Sequence, residues 1–248
     1  MTTQLGIQGL SEVVNKGLVD FVESTKKAFG NDLRSVILYG SGAEGKLRAT
    51  SDVNLIVVLS TFDQSKADLL REPLRMAHAA INLKVMMLLE SEIKTAIEAF
   101  SVKFFDIIHR HRVLYGADVF ANITIPREAT ISRLKQVLLN LSLRLREQYM
   151  LHSLREEQLA VMIADSTGPL RACAATILEL KEKVQKAPKE ALQHLVHGFS
   201  DTKNWDDVLT HLSEARETRA LPPGVAGPTL FKLIELANRM RSQIEQLS

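Results

Sequence analysis

Residues Val36 to Leu59 read VILYGSGAEGKLRATSDVNLIVVL. That is an apolar strand, a Gly/Ser-rich loop, and a second apolar strand entered through Ser51-Asp52-Val53-Asn54. This stretch constrains the fold more than any other, because the loop leaves no room for a helix. Gly40-Ser-Gly42-Ala-Glu-Gly45 matches the dinucleotide fingerprint GxGxxG, and Gly40 to Lys46 matches the opening of a P-loop. Both patterns work by delivering phosphate to the N-terminus of a helix that follows at once. Only Leu47 to Ser51 separate Lys46 from the next strand. Leu47 also stands where a P-loop needs Ser or Thr to hold magnesium. Neither pattern is satisfied, so the loop joins two strands directly.

The flanking sequence supplies the rest of an α+β domain. Residues 10–29 carry Leu10, Val13, Val14, Leu18, Phe21, Val22 and Phe29 at helical spacing, and Gly30-Asn31 suits the left-handed residue that closes a helix. Strands are expected at 34–39, 53–59 and 81–89. The second is a nearly continuous apolar run, as when both faces are covered. A helix over 62–80 contains Pro73, expected either to kink it or to open a second piece. Ser91 is expected to cap a helix from about 92, a second helical stretch reaches 111, and Val113-Leu114-Tyr115 is a further short apolar run. Beyond Pro126 no strand-like alternation appears. Ile131, Leu134, Leu138, Leu141 and Leu145, extended by Tyr149 and His152, form one face of a long amphipathic helix. Helices are also expected at 170–184 after Pro169, from Pro188 to about 196, at 204–219 and at 229–247. The reading is an N-terminal domain over 1–120 and an all-helical domain over 127–248.

The pattern Gly40-Ser41, Gly45, then Ser51-Asp52-Val53-Asn54 on the next strand resembles the nucleotidyltransferase domain of the DNA polymerase beta superfamily. The spacing from Ser41 to Asp52 is the one that family uses. Phe104-Phe105-Asp106-Ile107-Ile108 through Val113-Leu114-Tyr115-Gly116, with Asp118 and Phe120, looks like the segment that closes the catalytic domain in bacterial members. The helical remainder is similar in outline to the accessory domain of antibiotic-modifying nucleotidyltransferases. The resemblance implies a small mixed sheet with flanking helices and a nucleoside triphosphate as partner. It also implies magnesium as cofactor if the site is active, with transfer of a nucleotidyl group through two divalent ions. Gly40, Ser41, Gly45, Lys46 and Ser51 are the nucleotide-binding positions it implies, and Lys46 and Arg48 are candidate anion contacts.

Magnesium wants hard, anionic oxygen ligands, and the family supplies three carboxylates: two as Asp-x-Asp on one strand and a third on its neighbour. Here the first position is Asp52, which could hold a metal only weakly alone. The second is Asn54, whose amide oxygen carries no charge. The third falls at Lys84, with Asn82 as the other candidate. A Lys84 ammonium would repel magnesium and is expected to pair with Asp52 instead. The expectation is a nucleotidyltransferase fold with a degenerate metal site, acting as a nucleotide-binding or regulatory module. Glu44, Glu90 and Glu92 are the alternative carboxylates. An active enzyme and a non-catalytic scaffold are the competing readings.

Charge and composition narrow the partners. The net charge is +2, without the basic excess of a dedicated nucleic-acid binder. Cys173 is the only cysteine, so no internal disulfide and no thiolate zinc site can form. The first residues lack a basic segment followed by an apolar core, and no apolar run approaches the roughly 20 residues needed to span a bilayer. A soluble cytoplasmic protein is expected. The leucine-rich face of 131–152 is a candidate homodimer surface. His109 and His111, His194 with His197, and Lys181, Lys183 and Lys186 read as solvated. Asp201, Asp206 and Asp207 near Trp205 read as acids at a helix start.

Overall fold

A computed structural model describes residues 7–48, 50–199 and 205–247. The fold is α+β, and the chain divides into two compact units. One takes residues up to Ile97 together with Asp106–Thr124; the other takes Glu98–Phe105 and everything from Ile125.

The first unit is built on a four-stranded mixed sheet. Its strands are β1 (Leu33–Tyr39), β2 (Val53–Leu59), β3 (Leu83–Leu89) and β4 (His111–Gly116), ordered β3-β2-β1-β4. β1 runs antiparallel to both β2 and β4, while β2 and β3 are parallel. Helices α1 (Glu12–Phe29) and α2 (Gln64–Ile81) cover one face. There Leu18, Phe21, Val22, Phe29, Leu70 and Ile81 pack against Val36, Leu38, Val53, Leu55, Val57 and Leu59. Ser11 caps α1 by accepting from the Val14 amide, and Gly30 ends it at φ 53°. α2 passes through Pro73 without interruption. It stops at Asn82, whose left-handed backbone (φ 50°, ψ 43°) turns the chain into β3. The third strand therefore starts at Leu83, two residues later than the apolar run alone implies. The next helix starts at Ile93 rather than under a Ser91 cap: α3 (Ile93–Ala99) follows a single 3-10 turn over Glu90–Glu92. α4 (Ser101–His109) then begins after Phe100.

The second unit is helical: α5 (Arg127–His152), α6 (Glu156–Glu182), α7 (Pro188–His197), α8 (Asp206–Thr218) and α9 (Ala226–Glu245). The sequence expectation of a helix opening at Pro169 is corrected, since α6 begins at Glu156 and runs through that proline. Proline removes one intrahelical hydrogen bond. On both sides of it, however, Leu159, Ile163, Leu170, Cys173 and Ile177 are fully buried, and that packing outweighs one lost bond. The leucine stripe of α5 is internal. Leu134, Leu138 and Leu145 are 0% exposed and join Leu230, Leu233, Ala237 and Met240 in one core. That stripe is therefore not a free homodimer surface; Leu139, Leu143, Met150 and Leu151 are the exposed large apolar residues of α5. Asp206 and Asp207 sit in the first turn of α8, as expected, while Asp201 lies outside the described residues. Among the described residues no helix is long and apolar enough to cross a membrane.

Burial pushes the Cys173 thiol up to about 12, so alkylation by iodoacetamide at pH 8 should occur only when the helical unit unfolds. Leu138→Ala should lower the stability of that unit by about 2–5 kcal/mol, measurable by urea denaturation.

Candidate nucleotide site

The sheet registers place four polar side chains in one line. Lys84 on β3 is paired with Asn54 on β2, Asn54 with Tyr39 on β1, and Tyr39 with His111 on β4. Residues in register point to the same face, so Lys84, Asn54, Tyr39 and His111 cross the sheet as a row on the face opposite α1 and α2. Asp52 stands two residues before Asn54. The Asn54 amide nitrogen donates to the Asp52 carbonyl at 3.2 Å.

The Asp52 carboxylate does not pair with Lys84, contrary to the sequence expectation. It accepts instead from the Asn82 amide, Nδ2 to Oδ1 at 2.7 Å. The cause is local: the left-handed turn at Asn82 directs its short side chain back across the start of β2, where its carbonyl also receives the Val53 amide at 3.2 Å. Lys84 is exposed and forms no ion pair among the described residues. The alternative carboxylates are committed elsewhere. Glu90 pairs with Arg34 at 3.2 Å, Glu92 accepts from the Leu89 amide at 3.0 Å, and Glu44 pairs with Arg110 at 2.6 Å. Among the described residues no three His, Cys, Asp or Glu side chains converge as a metal would require.

The Gly/Ser loop is a self-contained turn. Gly40 has φ 72° and its amide donates to the Arg110 carbonyl at 2.8 Å. The amides of Ala43, Gly45 and Lys46 donate to Gly40, Gly42 and Ser41 carbonyls. Ser41 and Gly42, as the early residues of a 3-10 turn, keep their N–H groups out of this backbone network. The loop is held from two sides. Arg110 bridges Glu44 and Asp106, the latter at 2.8 Å; burial works against its charge, but the two carboxylates prevail and hold its pKa above the usual value. On the other side Gly45 (φ 69°) presses on the segment before α1, where a Cβ would collide with the Gln8 carbonyl. Asn15 pins that segment through the Ile7 amide and the Ile7 and Leu10 carbonyls. Lys46 projects into solvent. Arg48 and Ser51 line a cavity of about 470 Å³ with Ser11, Val14, Leu47 and Asn82.

Three groups in the site escaped the sequence reading. Tyr39 is largely buried, and burial, then Asp106 and Asp52, push its phenol up to about 12. Asp106 and Arg110, one helical turn apart, carried the signal of an i,i+4 pair. His111 is corrected from a solvated residue to a packed one. Its Nε2 faces Asp118 at 3.1 Å, its Nδ1 faces the Ile108 carbonyl at 2.9 Å, and its ring meets Phe120 edge-on. His194 and His197 do lie at the surface, beside Glu182 and Asp206.

Chain topology and site together admit comparison with known proteins. No family model matches the chain. Over 133 residues it is 24% identical to "Putative protein adenylyltransferase" of Methanocaldococcus jannaschii, covering 52% of this chain and 90% of that one. Among solved structures, the spectinomycin adenyltransferase AAD(9) of Enterococcus faecialis, crystallised with ATP and spectinomycin, superposes with a TM-score of 0.63. That match spans 90% of this chain and 98% of the other at 12% identity. The chain shares the fold of that adenyltransferase. Within it, Asp52 and Asn54 enter from β2, Lys84 from β3, and the Gly40–Gly45 loop follows β1.

Tyr39 gives the site a signature in alkali. A tyrosine titrates near 10 in the unfolded chain and here near about 12. The native state thus keeps a proton that the unfolded chain releases. The associated stability is intact below about pH 10 and is lost as pH rises through about 12. Tyr39→Phe should remove the latest step in the 295 nm absorbance titration and flatten the fall in stability across that window.

Proposed function

We propose that this protein is a nucleotidyltransferase-fold module that binds a nucleoside triphosphate and has an impaired metal site, acting as a regulatory or nucleotide-sensing unit. The observation that carries this reading is the register of Asn54 with Lys84 beside an Asp52 already bonded to Asn82. Two magnesium ions need several anionic oxygens between them. The row and the Asp52 that precedes it present one carboxylate, an amide, a phenol held protonated, an imidazole and an ammonium. The residues do not fit the metal pair. Ser41, Gly42 and the turn around them are the phosphate-facing donors in this reading, in the manner of successive backbone amides that cup an anion.

A second reading, transfer of AMP from ATP to a protein or small hydroxylated acceptor with Asp52 as metal ligand, is favoured by the names of the two similar proteins. Incubation with α-labelled ATP and magnesium or manganese separates the two. The module reading expects no label above background on the chain itself, on added protein or on aminocyclitols. Transfer that disappears in Asp52→Ala would establish the enzyme instead.

A further inference from the structure

We infer that the site takes the nucleoside triphosphate free of divalent metal, with the Lys84 ammonium supplying the positive charge at the phosphates. The inference rests on the nucleotide-binding reading above and specifies the charge state of its ligand. Its starting point is that Lys84 is exposed, lies on the same face as Asn54, and has no acidic partner among the described residues. A lysine near a carboxylate ordinarily pairs with it; here Asp52 is occupied by Asn82, which leaves the ammonium uncommitted.

Arg110, the guanidinium that holds the loop, cannot fill this role. It is held by Glu44 and Asp106 together, so its charge is more than balanced and both of its terminal nitrogens are engaged. What Arg110 does is fix the loop, through the Glu44 side chain and through its own carbonyl at the Gly40 amide. The Ser41 and Gly42 amides are thereby set in place before any ligand arrives, which lowers the ordering cost of binding. A polyanion then meets oriented N–H groups and a mobile ammonium, the point-charge type of phosphate contact that lysine provides.

Asp52 gives the inference its sharpest consequence. In a metal site this carboxylate attracts the metal-bound triphosphate, and neutralising it weakens binding. In a metal-free site it repels the phosphates, and neutralising it strengthens binding. The sign of the Asp52→Asn effect therefore discriminates between the two.

The test is calorimetric titration of the full chain with ATP, in EDTA and in excess magnesium, for wild type, Lys84→Gln and Asp52→Asn. Both positions are exposed, and circular dichroism checks that the variants keep their fold. Expected are binding in EDTA at least as tight as in magnesium, a loss of roughly tenfold in EDTA for Lys84→Gln, and tighter binding for Asp52→Asn. Binding that requires magnesium, or that weakens in Asp52→Asn, overturns the metal-free inference while leaving nucleotide binding intact. An unchanged affinity in Lys84→Gln overturns the assignment of the ammonium. Absence of heat with ATP in both conditions removes the nucleotide-binding reading itself.

Discussion

Parallel pairing between β2 and β3 is the constraint on which the chemistry of this protein depends. Parallel strands need a crossover, and α2 supplies it, ending at Asn82 just ahead of β3. That geometry fixes which β3 residue stands beside Asn54. A slip of one residue would turn Lys84 to the opposite face and bring Leu83 or Val85 into the row. Buried Leu55, Val57 and Leu83 on the α1/α2 side prevent the slip, because each would have to leave the core. The polar row is thus a by-product of hydrophobic packing on the other face of the sheet.

The loop shows the same economy of cause. Its backbone is fixed less by its own sequence than by what surrounds it: a guanidinium from the end of α4 on one side and the segment preceding α1 on the other. Glycine at 45 is required by contact with Gln8 as much as by its positive φ. The GxGxxG resemblance is therefore an accident of two separate demands for small residues.

Much of this architecture was legible in the sequence because local signals agreed with tertiary demands. The apolar runs of β1 and β2, the Gly30 terminus of α1 and the absence of a helix after Gly45 all follow from short-range chemistry. Asp52, Asn54 and Lys84 are singled out by the resemblance to a family whose metal ligands stand on two neighbouring strands, with Asn82 open as the alternative to Lys84. Tyr39 is not, and the Asp106–Arg110 pair shows only as an i,i+4 spacing. Arg110 meets Glu44, and Tyr39 comes under the charge of Asp106, only through segments far apart in the chain, and nothing near Tyr39 signals its burial. Pro169 misled in the opposite direction, since a strong local helix breaker is overridden by the core on both sides of it. The leucines of α5 read as one face of an amphipathic helix and as a candidate dimer surface, because sequence alone could not say that the chain's own α9 covers them.

Asn82 alone terminates α2, receives the first amide of β2 and holds the Asp52 carboxylate. Helix length, strand entry and the orientation of the acid are therefore a single inherited trait. A lineage could not lengthen the helix by a turn, or trade that asparagine for a bulkier neighbour, without also rotating the acid away from the sheet.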